Sequence, residues 1–182
     1  MNGTIGGIYR STDGGNTWLE DASPQGLAAT SVVFEPTSVA TQTATAWMAM
    51  GNPLDESING IYRSTDSGAT WTIQTSILPT TNVGKITLGY APGISGGGAT
   101  LYAAIADSST TSSNLLGMFK TVNGGATWTS ITGPAGGFCN SQCYYDMAIG
   151  VDSGNPNVVV IGGGAYQDNF TTLFESIDGG TT

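Results

Sequence analysis

The sequence predicts an all-β fold, a β-propeller with about three to four blades of four antiparallel strands present in the chain. Three observations carry this. First, one eight-residue phrase recurs in full three times, as Ser11-Thr12-Asp13-Gly14-Gly15-Asn16-Thr17-Trp18, Ser64-Thr65-Asp66-Ser67-Gly68-Ala69-Thr70-Trp71 and Thr121-Val122-Asn123-Gly124-Gly125-Ala126-Thr127-Trp128, and a fourth time through its first seven positions, Ser176-Ile177-Asp178-Gly179-Gly180-Thr181-Thr182. The steps from Asp13 to Asp66 to Asn123 to Asp178 are 53, 57 and 55 residues, a period that marks one supersecondary unit stacked on the next. Second, the segments between these boxes alternate apolar and polar residues or run apolar for four to six positions, as half-buried and fully buried strands do. Third, no segment carries a convincing helical period.

Each unit is built in the same order. A short strand ending in aliphatic, aromatic, then charged residues precedes the box: Gly7-Ile8-Tyr9-Arg10, Gly60-Ile61-Tyr62-Arg63, Gly117-Met118-Phe119-Lys120 and Thr172-Leu173-Phe174-Glu175. The box is a turn, because Gly accepts positive φ and Asp accepts hydrogen bonds from its own turn. A second strand follows, as in Thr70-Trp71-Thr72-Ile73-Gln74, and its Trp (Trp18, Trp71, Trp128) is set to pack on the sheet. Two strands precede each hairpin: residues 31–35 and 45–50, 85–90 and 100–105, and 146–151 and 158–161. The expected units are 1–22 (partial), 29–76, 83–132 and 144–182 (partial), together one propeller segment over 1–182. Propellers typically have about 4–8 blades. The expectation is therefore a piece of a longer chain, or copies that close a ring between them.

Composition narrows the partners. The 182 residues carry Lys+Arg 4 against Asp+Glu 13, a net charge of −9, with only 9% charged residues. Nucleic-acid binding needs clustered basic residues to neutralise phosphate, so nucleic acid is excluded as a partner, as is an anionic membrane surface. Three of the basic residues, Arg10, Arg63 and Lys120, each directly precede a box; Lys85 is the other. No apolar run is long enough to span a bilayer, so no membrane insertion is expected. The start, Met1-Asn2-Gly3-Thr4, lacks the basic and apolar regions of a signal peptide, so an export signal is expected to have been removed or to lie elsewhere. Cys139 and Cys143 either close a short disulfide loop or stay as thiols; the extracellular character of the composition favours the disulfide and a secreted or cell-surface location. Two cysteines without any His make no four-ligand zinc site, and no metal or other cofactor is expected. The lack of His also removes a Ser-His-Asp triad.

The phrase S-x-D-x-G-x-T-W resembles the Asp-box, or BNR repeat, of sialidases, xyloglucan-active glycoside hydrolases, sortilin-type receptors and photosystem assembly factors. The resemblance implies a propeller and places the box between the third and fourth strands of a blade, away from the active site. Asp13, Asp66, Asn123 and Asp178 are accordingly structural; Asn123 keeps the acceptor and loses the charge, which a turn tolerates and a catalytic carboxylate does not. Sialidases hold their substrate with three arginines, and only Arg10 and Arg63 exist here. Xyloglucan-active members carry a catalytic Asp in a T-D-[IV]-G-G-x-Y-R stretch. Thr4-Ile5-Gly6-Gly7-Ile8-Tyr9-Arg10 resembles its tail, with Thr4 at the Asp position.

Residues that break the repeat are better candidates for chemistry. Counting along the blade-opening strands aligns Asp152 with Glu35 and Ala91, a turn position, and Asp146 with Ala29 and Lys85. Asp146 is thus peculiar to its blade and opens an inner strand, so it is the candidate catalytic carboxylate. Asp168, Asp55 and Glu56 lie in strand connections and rank below it. Phe138, Tyr144, Tyr145 and Tyr166 crowd the sequence around Asp146, as sugar-stacking aromatics would; Tyr144, Tyr145, Tyr166 and Asp168 are the candidate ligand-binding residues. Trp47, aligned by count with Tyr102 and Val159, reads as core. Two functions remain open: a carbohydrate-active or carbohydrate-binding propeller with its catalytic residues partly or wholly elsewhere, or a non-catalytic module that holds a protein, a glycan, the remaining blades or copies of itself.

Overall fold

A computed structural model of the chain describes residues 7–21, 23–24, 28–35, 43–52, 57–93, 98–109, 114–134, 138–139, 141–164 and 173–181. The described residues form strands and turns without a helix. The strands are β1 (Tyr9–Arg10), β2 (Leu19–Glu20), β3 (Ala29–Phe34), β4 (Ala46–Met50), β5 (Gly60–Ser64), β6 (Thr72–Gln74), β7 (Val83–Ala91), β8 (Thr100–Asp107), β9 (Leu115–Thr121), β10 (Thr129–Ile131), β11 (Ala148–Val151), β12 (Val159–Gly162) and β13 (Leu173–Ser176). They pair into antiparallel sheets β1-β2, β3-β4-β5-β6, β7-β8-β9-β10 and β11-β12-β13. This is the blade order the sequence predicts, and the fold is a partial β-propeller.

The edge strands β3, β7 and β11 face one another across the sheets and form the inner wall. Thr30 Oγ1 donates to the Ile86 carbonyl at 2.8 Å, the Leu88 N–H donates to Ser31 Oγ at 3.3 Å, and Thr87 Oγ1 donates to the Met147 carbonyl at 3.3 Å. Gly89 is needed in this wall: a Cβ there would meet Val151 Cγ2 at 2.8 Å. Burial follows the period of two. In β4, Trp47 and Ala49 enter one interior layer, while Met48 and Met50 enter another with Tyr62. In β8, Leu101, Ala103 and Ile105 share the layer of Trp47, and Ala104 and Ala106 join a third layer with Phe138, Met147 and Ile161. Each layer lies between two neighbouring sheets.

The ladder corrects one alignment made by counting. Trp47 pairs Arg63 and Tyr102 pairs Lys120, whereas Glu175 pairs Val160, so Val160 and not Val159 is the counterpart of Trp47 and Tyr102. The continuous apolar run Val158-Val159-Val160-Ile161 contains no alternation from which the register could be read. The same pairs explain the basic residue before the box. The Arg63 guanidinium lies 5.5 Å from the Trp47 ring centroid, and Lys120 Nζ lies 5.1 Å from that of Tyr102. These are cation–π contacts across neighbouring strands. Trp47 itself is 0% exposed, with Nε1 donating to Glu35 Oε1 at 2.9 Å.

Every box closes on its acidic or amide residue. Asp13 accepts from Thr17 N at 2.9 Å, Thr17 Oγ1 at 2.6 Å and Ser11 Oγ at 2.8 Å. Asp66 repeats the set with Thr70 and Ser64. Asn123 accepts from Thr127 N and Thr121 Oγ1, and its Nδ2 donates to Thr127 Oγ1 at 2.8 Å. Asp178 accepts from Ser176 Oγ and Thr181 N. These bonds hold the Asp13 carboxyl down at about 2, the Thr17 hydroxyl contributing most. Asp66 is held well below the usual carboxylate range for the same reason, led by the Thr70 hydroxyl.

Candidate functional site

The strand directions place the candidates. Strands alternate up and down within each sheet, so the boxes, after the third strand, lie at one end of the blades. The starts of β7 and β11 lie at the other end, with the connections from β8 to β9 and from β12 to β13. Asp146 precedes β11 and therefore sits at this second end, beside the inner wall and away from every box.

Asp146 is half-buried, and its backbone N–H donates to the Gln142 carbonyl at 2.9 Å. Gly164, just after β12, approaches it so closely that a Cβ would run into the carboxylate. From the neighbouring sheet Lys85 reaches across: Nζ donates to the Tyr145 carbonyl at 2.6 Å and to that of Met147 at 3.5 Å. Desolvation lowers the Lys85 ammonium below its ordinary value, and the Asp146 charge works in the opposite direction. Tyr144 and Tyr145 stand beside Asp146, 43% and 71% exposed, with ring centroids 6.3 Å apart and planes tilted by 52°. The site is thus a partly shielded carboxylate, a nearby ammonium, and two phenol rings open to solvent.

Cys139 and Cys143 form a disulfide with a Cα–Cα separation of 5.0 Å. Both are buried, and the loop they close is tied to the preceding sheet by Ser141 N donating to Asn114 Oδ1 at 3.0 Å. The loop ends where Tyr144 begins, so the crosslink fixes the approach of the tyrosines to the inner wall. A second tie at this end is buried Asn59, whose Nδ2 donates to the carbonyls of Asn52 at 2.8 Å and Val83 at 2.6 Å. It fastens the β4–β5 connection to the start of β7.

Phe138 does not belong with the exposed aromatics. It is buried, and its ring meets that of Phe174 edge to face at 6.1 Å, so its place is in the core. Tyr166, Asp168, Asp55 and Glu56 lie outside the described residues. Lys85 is the contributor that sequence reasoning passed over. Its signal was that it alone among the four basic residues stands away from a box, and its role depends on contact between strands 60 residues apart.

No protein-family model matches the chain, and no curated protein does. Among solved structures it is similar to the GH74 enzyme of Niastella koreensis, with 27% identity and a TM-score of 0.65 over 98% of this chain and 26% of that one. It is also similar in fold to the GH74 xyloglucanase from Xanthomonas campestris, with 19% identity and a TM-score of 0.64 over 97% of this chain and 26% of that one. YCF48 bound to D1 peptide aligns with 16% identity and a TM-score of 0.48 over 76% of this chain and 35% of its own. The chain spans about a quarter of the length of the two GH74 enzymes. Its architecture is that of a glycoside-hydrolase-like partial propeller.

Proposed function

We propose that the chain is part of a secreted Asp-box propeller protein that binds or cleaves a polysaccharide at the end of the blades carrying Asp146, Tyr144 and Tyr145. In this reading the catalytic residues lie partly or wholly outside these residues. Tyr144 and Tyr145 offer sugar rings a stacking surface, and Asp146 offers a carboxylate at the mouth of the inner wall. Tyr166 and Asp168 belong to the same proposal through their place between β12 and β13. Glycoside hydrolysis uses two carboxylates roughly 5–9.5 Å apart, so Asp146 needs a partner carboxylate on another blade or connection. The buried disulfide supports an oxidising, extracellular setting.

One observation carries the reading above the rest. Asp146, a carboxylate peculiar to its blade, sits with an ammonium and two exposed tyrosines in a fold similar to that of a GH74 enzyme at 27% identity. Xyloglucan is the first probe, because one of the similar structures is a xyloglucanase. Binding is measured by calorimetry with xyloglucan oligosaccharides on the native full-length protein. Tyr145→Ala should weaken it about three- to tenfold without changing the melting temperature. If the native protein hydrolyses the glycan, Asp146→Asn should abolish turnover and leave binding in place. Unchanged turnover in Asp146→Asn removes the catalytic role.

A second reading has its own observation. Tyr9, Trp18 and Leu19 at one end of the sheet series, and Leu173 and Ile177 at the other, are exposed large apolar residues. Such surface is a platform for further blades or for copies of the same chain. A denatured intact mass of 18.5 kDa with a native mass that is a concentration-dependent multiple of it would favour assembly over catalysis. A denatured mass well above that value would favour the enzyme.

A further inference from the structure

The third box carries an amide, Asn123, where the others carry the carboxylates of Asp13, Asp66 and Asp178, and Gly124 follows it directly. An asparagine before a glycine is open to attack by its own backbone, because glycine places no Cβ beside the following nitrogen. The Gly124 nitrogen adds to Cγ of Asn123 and the Cγ–Nδ2 bond breaks. Ammonia leaves with the proton that the Gly124 nitrogen gives up. Water then opens the five-membered imide at either carbonyl and leaves aspartate or isoaspartate at position 123.

Exposure alone would make this a fast site, since the Asn123 side chain faces water. The hydrogen bonds oppose it. The nucleophile is committed elsewhere: the Gly124 N–H donates to the Ala99 carbonyl at 3.0 Å. So is its target. Asn123 Oδ1 accepts from Thr127 N at 2.9 Å and from Thr121 Oγ1 at 2.9 Å, and Nδ2 donates to Thr127 Oγ1 at 2.8 Å. Gly98 packs on the same peptide from one side, where an added Cβ would meet the Gly124 nitrogen at 2.7 Å. Ring closure therefore requires the turn to lift off Ala99 and the amide to leave both threonines. The pair Asn59-Gly60 is shielded differently, by burial, with the Asn59 amide bonded to Asn52 and Val83. Asn2-Gly3 lies outside the described residues.

We propose that Asn123-Gly124 is a gated deamidation site, silent while the third box is closed on Ala99 and converted to a carboxylate when the box opens. The two products act differently on the gate. Aspartate restores the residue of the other boxes, which the same threonine cap accepts. Isoaspartate adds a methylene to the main chain, so the Thr127 and Ala99 bonds no longer form together and the box stays open. The site lies at the box end of the blades, opposite the glycan face, and does not rest on the glycan reading.

The test incubates the native protein, and the same protein in denaturant, at mildly alkaline pH and follows both Asn-Gly pairs by peptide mass mapping. In the denatured chain Asn123 and Asn59 should both convert. In the native chain Asn123 should convert roughly tenfold more slowly or less, because its rate scales with the fraction of time the box is open. Thr121→Ala removes the hydroxyl that donates to Asn123 Oδ1 and accepts from the Asn123 and Gly125 N–H groups. It should speed native conversion of Asn123 by about fivefold or more while Asn59 stays slow. Thr121→Ser keeps the hydroxyl, as in the other three boxes, and should keep the protection. A native rate equal to the denatured one, or an unchanged rate in Thr121→Ala, would overturn the gate. So would acceleration of Asn59 in step with Asn123, because the whole fold and not the box would then be opening.

Discussion

The two interfaces that flank the sheet β7–β10 are built from the same repeat and packed differently. On one side Trp128 is 4% exposed and closes the contact with β3–β6 against Trp47. On the other, a cavity of about 260 Å³ lies between β7–β10 and β11–β13, beside Met118 and Phe174. The earlier copies extend the series: Trp71 is half-buried over Met48 and Tyr62, with Nε1 donating to Asp21 Oδ2 at 3.3 Å, and Trp18 is 61% exposed. The same residue in the same turn thus runs from core to surface according to how much sheet stands in front of it. The box shapes a turn by itself, but its tryptophan stabilises the fold only by joining two blades.

Truncating these tryptophans breaks the comparison most directly. Trp128→Ala should cost about 3–5 kcal/mol in chemical denaturation, as large-to-small changes of buried aromatics do. Trp18→Ala should stay within about 0.5 kcal/mol, as surface changes do. Similar costs for the two would mean that the indole acts within its own blade.

The glycines give the next largest effect. Gly14 has a φ of 73° with nothing within 4 Å of an added Cβ, while Gly125 has a φ of 81° and Trp47 directly behind it. Gly14→Ala should cost only the left-handed backbone term, about 1–2 kcal/mol. Gly125→Ala adds overpacking of about 1–3 kcal/mol to the same term. A thermal melt of the two variants sharpens the distinction between a turn and a wedge.

What could be read in advance divides along the range of the interactions. The box bonds are local, closing within four residues of Asp13, Asp66 and Asn123, so the repeat displays them. Alternation in Lys85-Ile86-Thr87-Leu88-Gly89-Tyr90 shows a half-buried strand for the same reason. The apolar run at Val158–Ile161 fits two registers, and only pairing of Glu175 with Val160 selects one. The pair of Lys85 with the Tyr145 carbonyl, and the turn of Phe138 into the core while Tyr145 faces water, depend on which strands become neighbours. That is decided by packing of the sheets, on which residue type at a single position says little.

The smallest expected effect concerns the charge in the box. The folded pKa of Asp13, about 2, lies below the unfolded value of about 3.9, and that of Asp66 is lowered as well. A depressed carboxylate contributes stability that is fully present above the unfolded pKa and is lost as pH falls through the folded one. The contribution of these two boxes should therefore weaken from about pH 4 downward. The third box, with Asn123, has no such carboxylate, and its Nδ2 donates to Thr127 Oγ1 instead. Melting curves at pH 7 and pH 3 separate the cases. Asp66→Asn should narrow the gap between the two melting temperatures, and Asn123→Asp should widen it, with the Thr127 hydroxyl turning to donate. All three carboxylates or amides are solvent-facing, so both changes should be small beside the loss of Trp128. A pH 3 penalty as large as that loss would mean that the box anchors the blade through its charge rather than its indole.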